Sequence, residues 1–228
     1  MKTKKILALL ISGVFATTMA SQGAVITMPS GLSAGDQYRL VFVTSTTTTA
    51  TSTDINTYNT FVNNLAITAG LDTIAGTVEG STTWTAIGST SSVNAIDNTS
   101  TTGAGTGIGI YLLNDTAIAT SYTDLWDDSI ATPLNVDELG ASYGNEIVWT
   151  GSKSNGLNEG ILTLGNTLVN FGQTNSTVGS WMDRNIAFDG TQNRRLYAMS
   201  GILTVPEPSS TALLGLGGLA LMLRRKRS

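Results

Sequence analysis

Apolar and polar positions fall in blocks along the chain, and the blocks predict a sheet-rich domain with one main helix. Residues 38–43, Tyr-Arg-Leu-Val-Phe-Val, form a continuous aromatic and β-branched run, the pattern of a mostly buried strand. From Asp54 the apolar positions are Ile55, Tyr58, Phe61, Val62, Leu65 and Ala66. That spacing predicts an amphipathic helix over 54–68, packed on the sheet, with Ser52 or Thr53 at the N-cap. The Thr/Ser tract 44–53 reads as a polar loop that caps this helix, or as an O-glycosylated linker. Residues 82–87 alternate and predict a strand, 88–107 a polar loop, and 108–113 a core strand followed by a turn at Asn114-Asp115-Thr116. Residues 122–128 predict a short helical segment that buries Leu125 and Trp126. Residues 146–150 predict a strand and 151–156 a turn. Residues 160–164 and 167–171 suggest a hairpin or two short strands around Gly165-Asn166, and 195–205 supplies the last strand.

Both ends break this pattern. Met1-Lys2-Thr3-Lys4-Lys5 precedes an apolar run over 6–16 and small residues around Ala20 and Ala24. This is the layout of a secretory signal peptide, cleaved after Ala20 or after Ala24. Its apolar run is too short for a stable membrane span. At the other end Pro206 and Pro208 mark a domain boundary, because a proline has no N–H for a helix or sheet interior. An uncharged run over 212–223 follows, then Arg224, Arg225, Lys226 and Arg227. The run predicts a transmembrane helix and the basic cluster a cytoplasmic flank. As a helix, 209–223 spans only ~22 Å, against ~30 Å of hydrocarbon. The expected organisation is a signal peptide at 1–24, an exported globular domain at 25–204 and a C-terminal segment of prolines, apolar run and basic tail at 205–228.

The motif Pro206-Glu207-Pro208, the short Leu/Gly/Ala helix and Arg224–Arg227 resemble the PEP-CTERM sorting signal of exopolysaccharide-producing Gram-negative bacteria. That resemblance implies recognition and cleavage by exosortase, a membrane-embedded cysteine transpeptidase. It also implies passage through the secretion translocon, an inner-membrane intermediate, and a final place in the envelope or extracellular matrix, in contact with exopolysaccharide. A plain C-terminal anchor is the alternative. The shortness of the helix favours a transient signal.

Charge changes the picture once the ends are set aside. Between 25 and 204, five basic side chains face fifteen acidic ones, a net charge of −10, against −4 for the whole chain. This argues against nucleic acid as a partner, since phosphates need a basic surface. The chain has no cysteine and no histidine. Disulfides, histidine zinc sites, Ser-His-Asp triads and Cys-His dyads are therefore excluded within it. No cofactor is expected, and no enzymatic activity.

The remaining motifs are weighed against their structural roles. Gly103 to Gly109 lacks phosphate-loop spacing and no Lys-Ser/Thr follows it. Gly140-Ala141-Ser142-Tyr143-Gly144 matches a nucleophile elbow but has no histidine to act as base. Asp124, Asp127 and Asp128, with Asp137 and Glu138 beyond, are hard oxygen donors that could hold calcium, or else cap helices and meet solvent. Trp181-Met182-Asp183 is superficially like the Trp-Asn-Asp of calcium-dependent lectins, without their Glu-Pro-Asn partner. Trp84, Trp126, Trp149 and Trp181 would stack on sugar rings or fill the core. No pair of carboxylates stands out for glycoside hydrolysis. Asn98, Asn114 and Asn175 each open a glycosylation sequon.

In order, residues 84–90, 110–115, 122–128, 148–156, 179–181 and 196–200 resemble an endostatin-like domain of the C-type-lectin-like fold. This implies an α+β fold, a mixed sheet with one main amphipathic helix; a mainly-β sandwich is the alternative. The family's zinc histidines, heparin arginines and disulfides have no counterparts here. The expected role is structural or interactive. The alternative is a glycan- or calcium-binding module using Asp124, Asp127, Asp128, Trp181 and Asp183; an enzyme relying on carboxylates alone ranks last.

Overall fold

The computed structural model describes residues 24–74 and 77–207. The predicted signal peptide lies outside them up to residue 23, as do Pro208, the apolar run 212–223 and Arg224–Arg227. Among the described residues no helix is long and apolar enough to cross a membrane. The domain is α+β and sheet-rich. Strands β1 (Gln37–Val43), β2 (Trp84–Ala86), β3 (Ile108–Leu112), β4 (Ala117–Ala119), β8 (Tyr197–Ser200) and β9 (Leu203–Thr204) make one mixed sheet. Its order is β2-β8-β1-β3-β4, and β9 also pairs with β1. Only β1 and β3 run parallel, with Gln37 opposite Ile108 and Val41 opposite Leu112. A second, antiparallel sheet has the order β5 (Ile147–Trp149), β6 (Leu168–Gln173), β7 (Ala187–Asp189).

β1 lies at the centre because its residues are apolar on both faces: Tyr38, Leu40, Val41, Phe42 and Val43 are all fully buried. Helix α1 (Ile55–Thr68) covers one side with Ile55, Tyr58, Val62 and Ala66, as the periodicity predicts. Its N-cap is Asp54, whose carboxylate accepts from the Asn56 amide at 2.9 Å, rather than Ser52 or Thr53. Ser52 sits one step further out, its Oγ accepting from the Asp54 amide at 3.1 Å. The helix stops at Gly70 (φ +75), where the Leu71 amide reaches back to the Ala66 carbonyl.

The polar side of α1 protects an edge of the sheet. β2 ends the strand order, so its outer N–H groups have no neighbouring strand. Asn63 Oδ1 accepts from the Trp84 amide at 3.0 Å and Asn59 Oδ1 from the Ala86 amide at 2.9 Å. Asn98, in helix α2 (Ala95–Asn98), completes the set by exchanging 2.8 Å hydrogen bonds with Asn59 and donating to the Ala86 carbonyl at 2.7 Å. This amide is consumed by the fold and is a poor glycosylation acceptor. Asn59→Ala removes an acceptor shared by two donors, so it should lower unfolding free energy by ~1–3 kcal/mol in urea titration. Asn56→Ala, on the same helix but exposed, should change it little.

Several expectations are corrected. Residues 160–164 and 167–171 form no hairpin, and of the two short strands only the second is present, as the start of β6. Gly160–Leu162 is a 3₁₀ turn. The amides of Leu164 and Gly165 bond instead to the Ser89 and Ala50 carbonyls. Gly160 (φ +64) and Gly165 (φ +91) turn the chain away from strand geometry, and β6 begins only at Leu168. The last strand is interrupted at 201–202. Ser200 Oγ accepts from the Leu40 amide at 2.9 Å, a side chain standing in the ladder, and its carbonyl turns to Arg39. Helix α2 and strands β4 and β7 also appear where a loop or no element was expected.

Candidate functional site

The sorting motif starts where the last strand ends, and the geometry there is well defined. β9 is hydrogen-bonded on both edges. On one side it pairs with β1, Leu203 opposite Tyr38 and Thr204 opposite Gln37. The Val205 amide then donates to the Asp36 carbonyl at 3.0 Å, and the Gly35 amide to the Val205 carbonyl at 2.9 Å. On the other side the Val78 amide donates to the Thr204 carbonyl at 3.0 Å. Glu79 closes that side: its carboxylate accepts from the Thr204 amide at 2.8 Å and the Thr204 hydroxyl at 2.7 Å. Partial burial pushes the Glu79 carboxyl upward, but the Thr204 hydroxyl and amide, with Glu79's own backbone amide, together hold it below its ordinary value. Pro206 has no N–H to continue the ladder, and Pro206 and Glu207 are exposed. Pro208 and the basic residues Arg224, Arg225, Lys226 and Arg227 lie outside the described residues. A groove of about 510 Å³ with mixed polar and apolar walls, Asn63, Ile67, Asp72 and Thr82 among them, includes the residues leading into β9, Gly201 and Ile202.

The acidic candidates are not gathered into one shell. Asp124 accepts from the Thr120 amide and hydroxyl at 2.6 and 2.8 Å, closing the turn into helix α3 (Tyr122–Leu125). Asp127 accepts from the Ser129 amide and hydroxyl. Asp128 has φ +80 and lays its carboxylate against Gly179. Asp183 lies elsewhere, accepting from Asn170 Nδ2 at 2.9 Å and the Asn185 amide at 2.8 Å. Near it, burial and then the Asp183 charge push the Glu159 carboxyl up, with Lys153 opposing. Asn170 Oδ1 and Glu159 Oε2 are buried without hydrogen-bond donors. Among the described residues no group of three or more His, Cys, Asp or Glu side chains could hold a metal ion.

The tryptophans belong to the core. Trp84, Trp149 and Trp181 are at most 1% exposed and Trp126 is 9% exposed, which leaves no ring face for a sugar. Trp181 stacks on Trp126 with centroids 6.0 Å apart and tilts against Tyr197 at 5.9 Å.

Ser142 and the acids beside it serve a turn. Val136 and Ser142 face each other in an antiparallel bridge, with Gly140 (φ +81) at the bend, so no strand-to-helix elbow is present. Asp137 Oδ1 accepts from the Leu139 and Ala141 amides, and its Oδ2 from the Tyr143 hydroxyl at 2.8 Å. Burial, followed by that hydrogen bond, raises the Tyr143 hydroxyl to about 12. Glu138 accepts from the Ser45 amide at 2.9 Å and from its hydroxyl. Arg195 ties the loops together. It donates to the Thr44 and Ser45 carbonyls at 2.6 Å, lies 3.8 Å over the Tyr143 ring and pairs with Glu146 at 3.8 Å. Asp137 and Glu138 therefore act on the backbone of their own domain. Glu138 reaches a distant segment at Ser45, whereas Asp137 closes its own turn onto Leu139, Ala141 and Tyr143.

The tryptophans are taken up in the core and Ser142 in a turn, while an exposed proline-acid segment leaves the last strand, which makes the C-terminal exit the site of interest. Residues 204–227 match the family described as PEP-CTERM protein-sorting motif. The chain thus carries a sorting signal that supports exosortase-dependent sorting of an exported protein, with membrane-associated processing before release. No curated protein matches the chain.

Proposed function

We propose that this chain is an exosortase substrate whose domain, residues 25 to about 204, has a structural or interaction role in the cell envelope or extracellular matrix. Residues 1–24 act as its signal peptide. The apolar run 212–223 holds the precursor in the inner membrane, with Arg224–Arg227 on the cytoplasmic side, until the signal is removed. The observation that carries this reading is the PEP-CTERM match at 204–227, set directly after the last strand with Pro206 and Glu207 exposed. A non-enzymatic role is supported by the lack of histidine and cysteine. Exopolysaccharide is the expected neighbour of the released domain. A glycan- or calcium-binding lectin-like module is the other reading. The buried tryptophans and locally bonded aspartates supply no observation in its favour.

The test is the intact mass of the protein in membrane and medium fractions of a host with and without exosortase. A form lacking both ends, present only with exosortase, is expected. Pro206→Ala with Glu207→Ala should abolish that form and leave full-length precursor in the membrane. A form that keeps Arg224–Ser228 in both hosts would mean a permanent anchor.

A further inference from the structure

The matched motif begins at Thr204, so its first two residues, Thr204 and Val205, belong to the folded domain. An enzyme that cuts a peptide chain grips it in extended form, largely through main-chain hydrogen bonds of the strand-addition kind. At Thr204 and Val205 those groups are already taken. The Thr204 N–H donates to Glu79 and its C=O accepts from the Val78 amide; the Val205 N–H donates to the Asp36 carbonyl and its C=O accepts from the Gly35 amide. The free main chain starts at Pro206. From there to Ala212, where the apolar run begins, six residues reach at most ~20 Å when fully extended. In the proposed precursor the docked domain is thus held close against the membrane, over the segment an enzyme must approach.

We propose that Glu79 is a positioning residue for sorting. It latches β9 to the domain, and β9 undocks before exosortase engages the motif. The inference rests on the sorting function proposed above. Glu79 is the only side chain bonded to β9 through both an amide and a hydroxyl among the described residues, and it comes from a segment 125 positions away. Peeling back to Gly201 frees five more residues, ~17 Å of extended chain, enough to lift the domain off the cleavage region. Glu79 itself is exposed, but peeling β9 back also draws the fully buried Leu203 out of the core, so the apolar contact of Leu203 resists undocking alongside the latch.

The experiment uses the full-length chain. Glu79→Ala should raise amide exchange at Thr204 and Val78 in detergent-solubilised precursor from an exosortase-free host. With exosortase present it should shorten the processing half-time several-fold in pulse-chase. Glu79→Gln, which keeps one oxygen acceptor, should fall between Glu79→Ala and the natural chain. Because the chain has no cysteine, Gln37→Cys with Thr204→Cys places a unique pair at facing positions of β1 and β9. Oxidised, this variant should process slowly, and reductant should restore its rate. The latch is overturned if Glu79→Ala frees the Thr204 amide yet processing keeps its natural rate, or if the oxidised pair is processed as fast as the reduced one. A natural chain whose mass is the same with and without exosortase would overturn the sorting function and the latch together.

Discussion

Arg39→Met is expected to cost ~3–5 kcal/mol of unfolding free energy, enough to remove a large part of the domain's stability. Arg39 lies in the central strand and is only 4% exposed, yet no carboxylate pairs with it in the described structure. Its charge is met by oxygen dipoles instead. Nη1 donates to the Thr99 carbonyl at 2.8 Å and the Ser200 carbonyl at 3.0 Å, and Nε to the Tyr122 hydroxyl at 2.9 Å. Nη2 reaches the Ser100 carbonyl at 3.3 Å. Thr99 is the C-cap of α2, so part of this cage is a helix C-terminus, where a cation is favoured. Methionine fills much of the volume but donates nothing, and three buried acceptors lose their partner at ~1–3 kcal/mol each, less what entering water recovers. Arg39→Lys keeps the charge but not the planar fork, and should fall between the natural chain and Arg39→Met. Urea titration followed by tryptophan fluorescence measures all three. A methionine variant as stable as the natural chain would show that the cage contributes nothing net.

Arg39 also illustrates what could be read from the sequence. The strand around it was legible, because 38–43 is a continuous apolar run interrupted once. The meaning of the interruption was not, since its partners lie about 60 to 160 positions away. The same division holds elsewhere. α1, β3, β5 and the segment containing α3 were legible from local periodicity. β4 and β7 are no shorter than β5, but Ala-Ile-Ala and Ala-Phe-Asp lack the β-branched and aromatic run of Ile147-Val148-Trp149, and α2 is a single turn inside a polar stretch. The hairpin expected around Gly165 failed for a related reason. A Gly-Asn dipeptide reads as a hairpin turn, but Gly165 points its amide at the Ala50 carbonyl on a distant loop. The sorting motif was legible because all its parts are contiguous. The Glu79 latch was not, because acid and strand are joined only by the fold. The aspartates at 124, 127 and 128 invited a metal by their proximity in sequence. The Asp124 and Asp127 side chains are spent on neighbouring amides, and Asp128 packs against Gly179.

Gly172→Ala is expected to destabilise the domain by ~3 kcal/mol or more, at or beyond the usual range for overpacking. Gly172 lies in β6 opposite Val148, in ordinary strand geometry, so its role is space and not backbone freedom. A Cβ there would stand 2.6 Å from the Trp181 carbonyl carbon, closer still to its oxygen, and 3.1 Å from Met182 Cα. These are backbone atoms that no rotamer change can clear. The segment they belong to is fixed from several directions. Thr150 Oγ1 donates to the Met182 carbonyl at 2.6 Å, the Arg184 amide to the Phe171 carbonyl at 3.0 Å, and the Trp181 ring is wedged against Trp126 and Tyr197. Relief therefore requires lifting the whole segment, which unstacks Trp181 and should reduce near-ultraviolet dichroism even where the chain stays folded. Gly107→Ala is the matched contrast: its Cβ would meet nothing, and only φ +78 penalises it, so ~1 kcal/mol is expected. If Gly172→Ala instead melts no earlier than Gly107→Ala and keeps its aromatic dichroism, the 179–184 segment is free to shift. Trp181 would then be accessible by a small movement of the loop, and the sugar-stacking role rejected on burial would have to be tested directly.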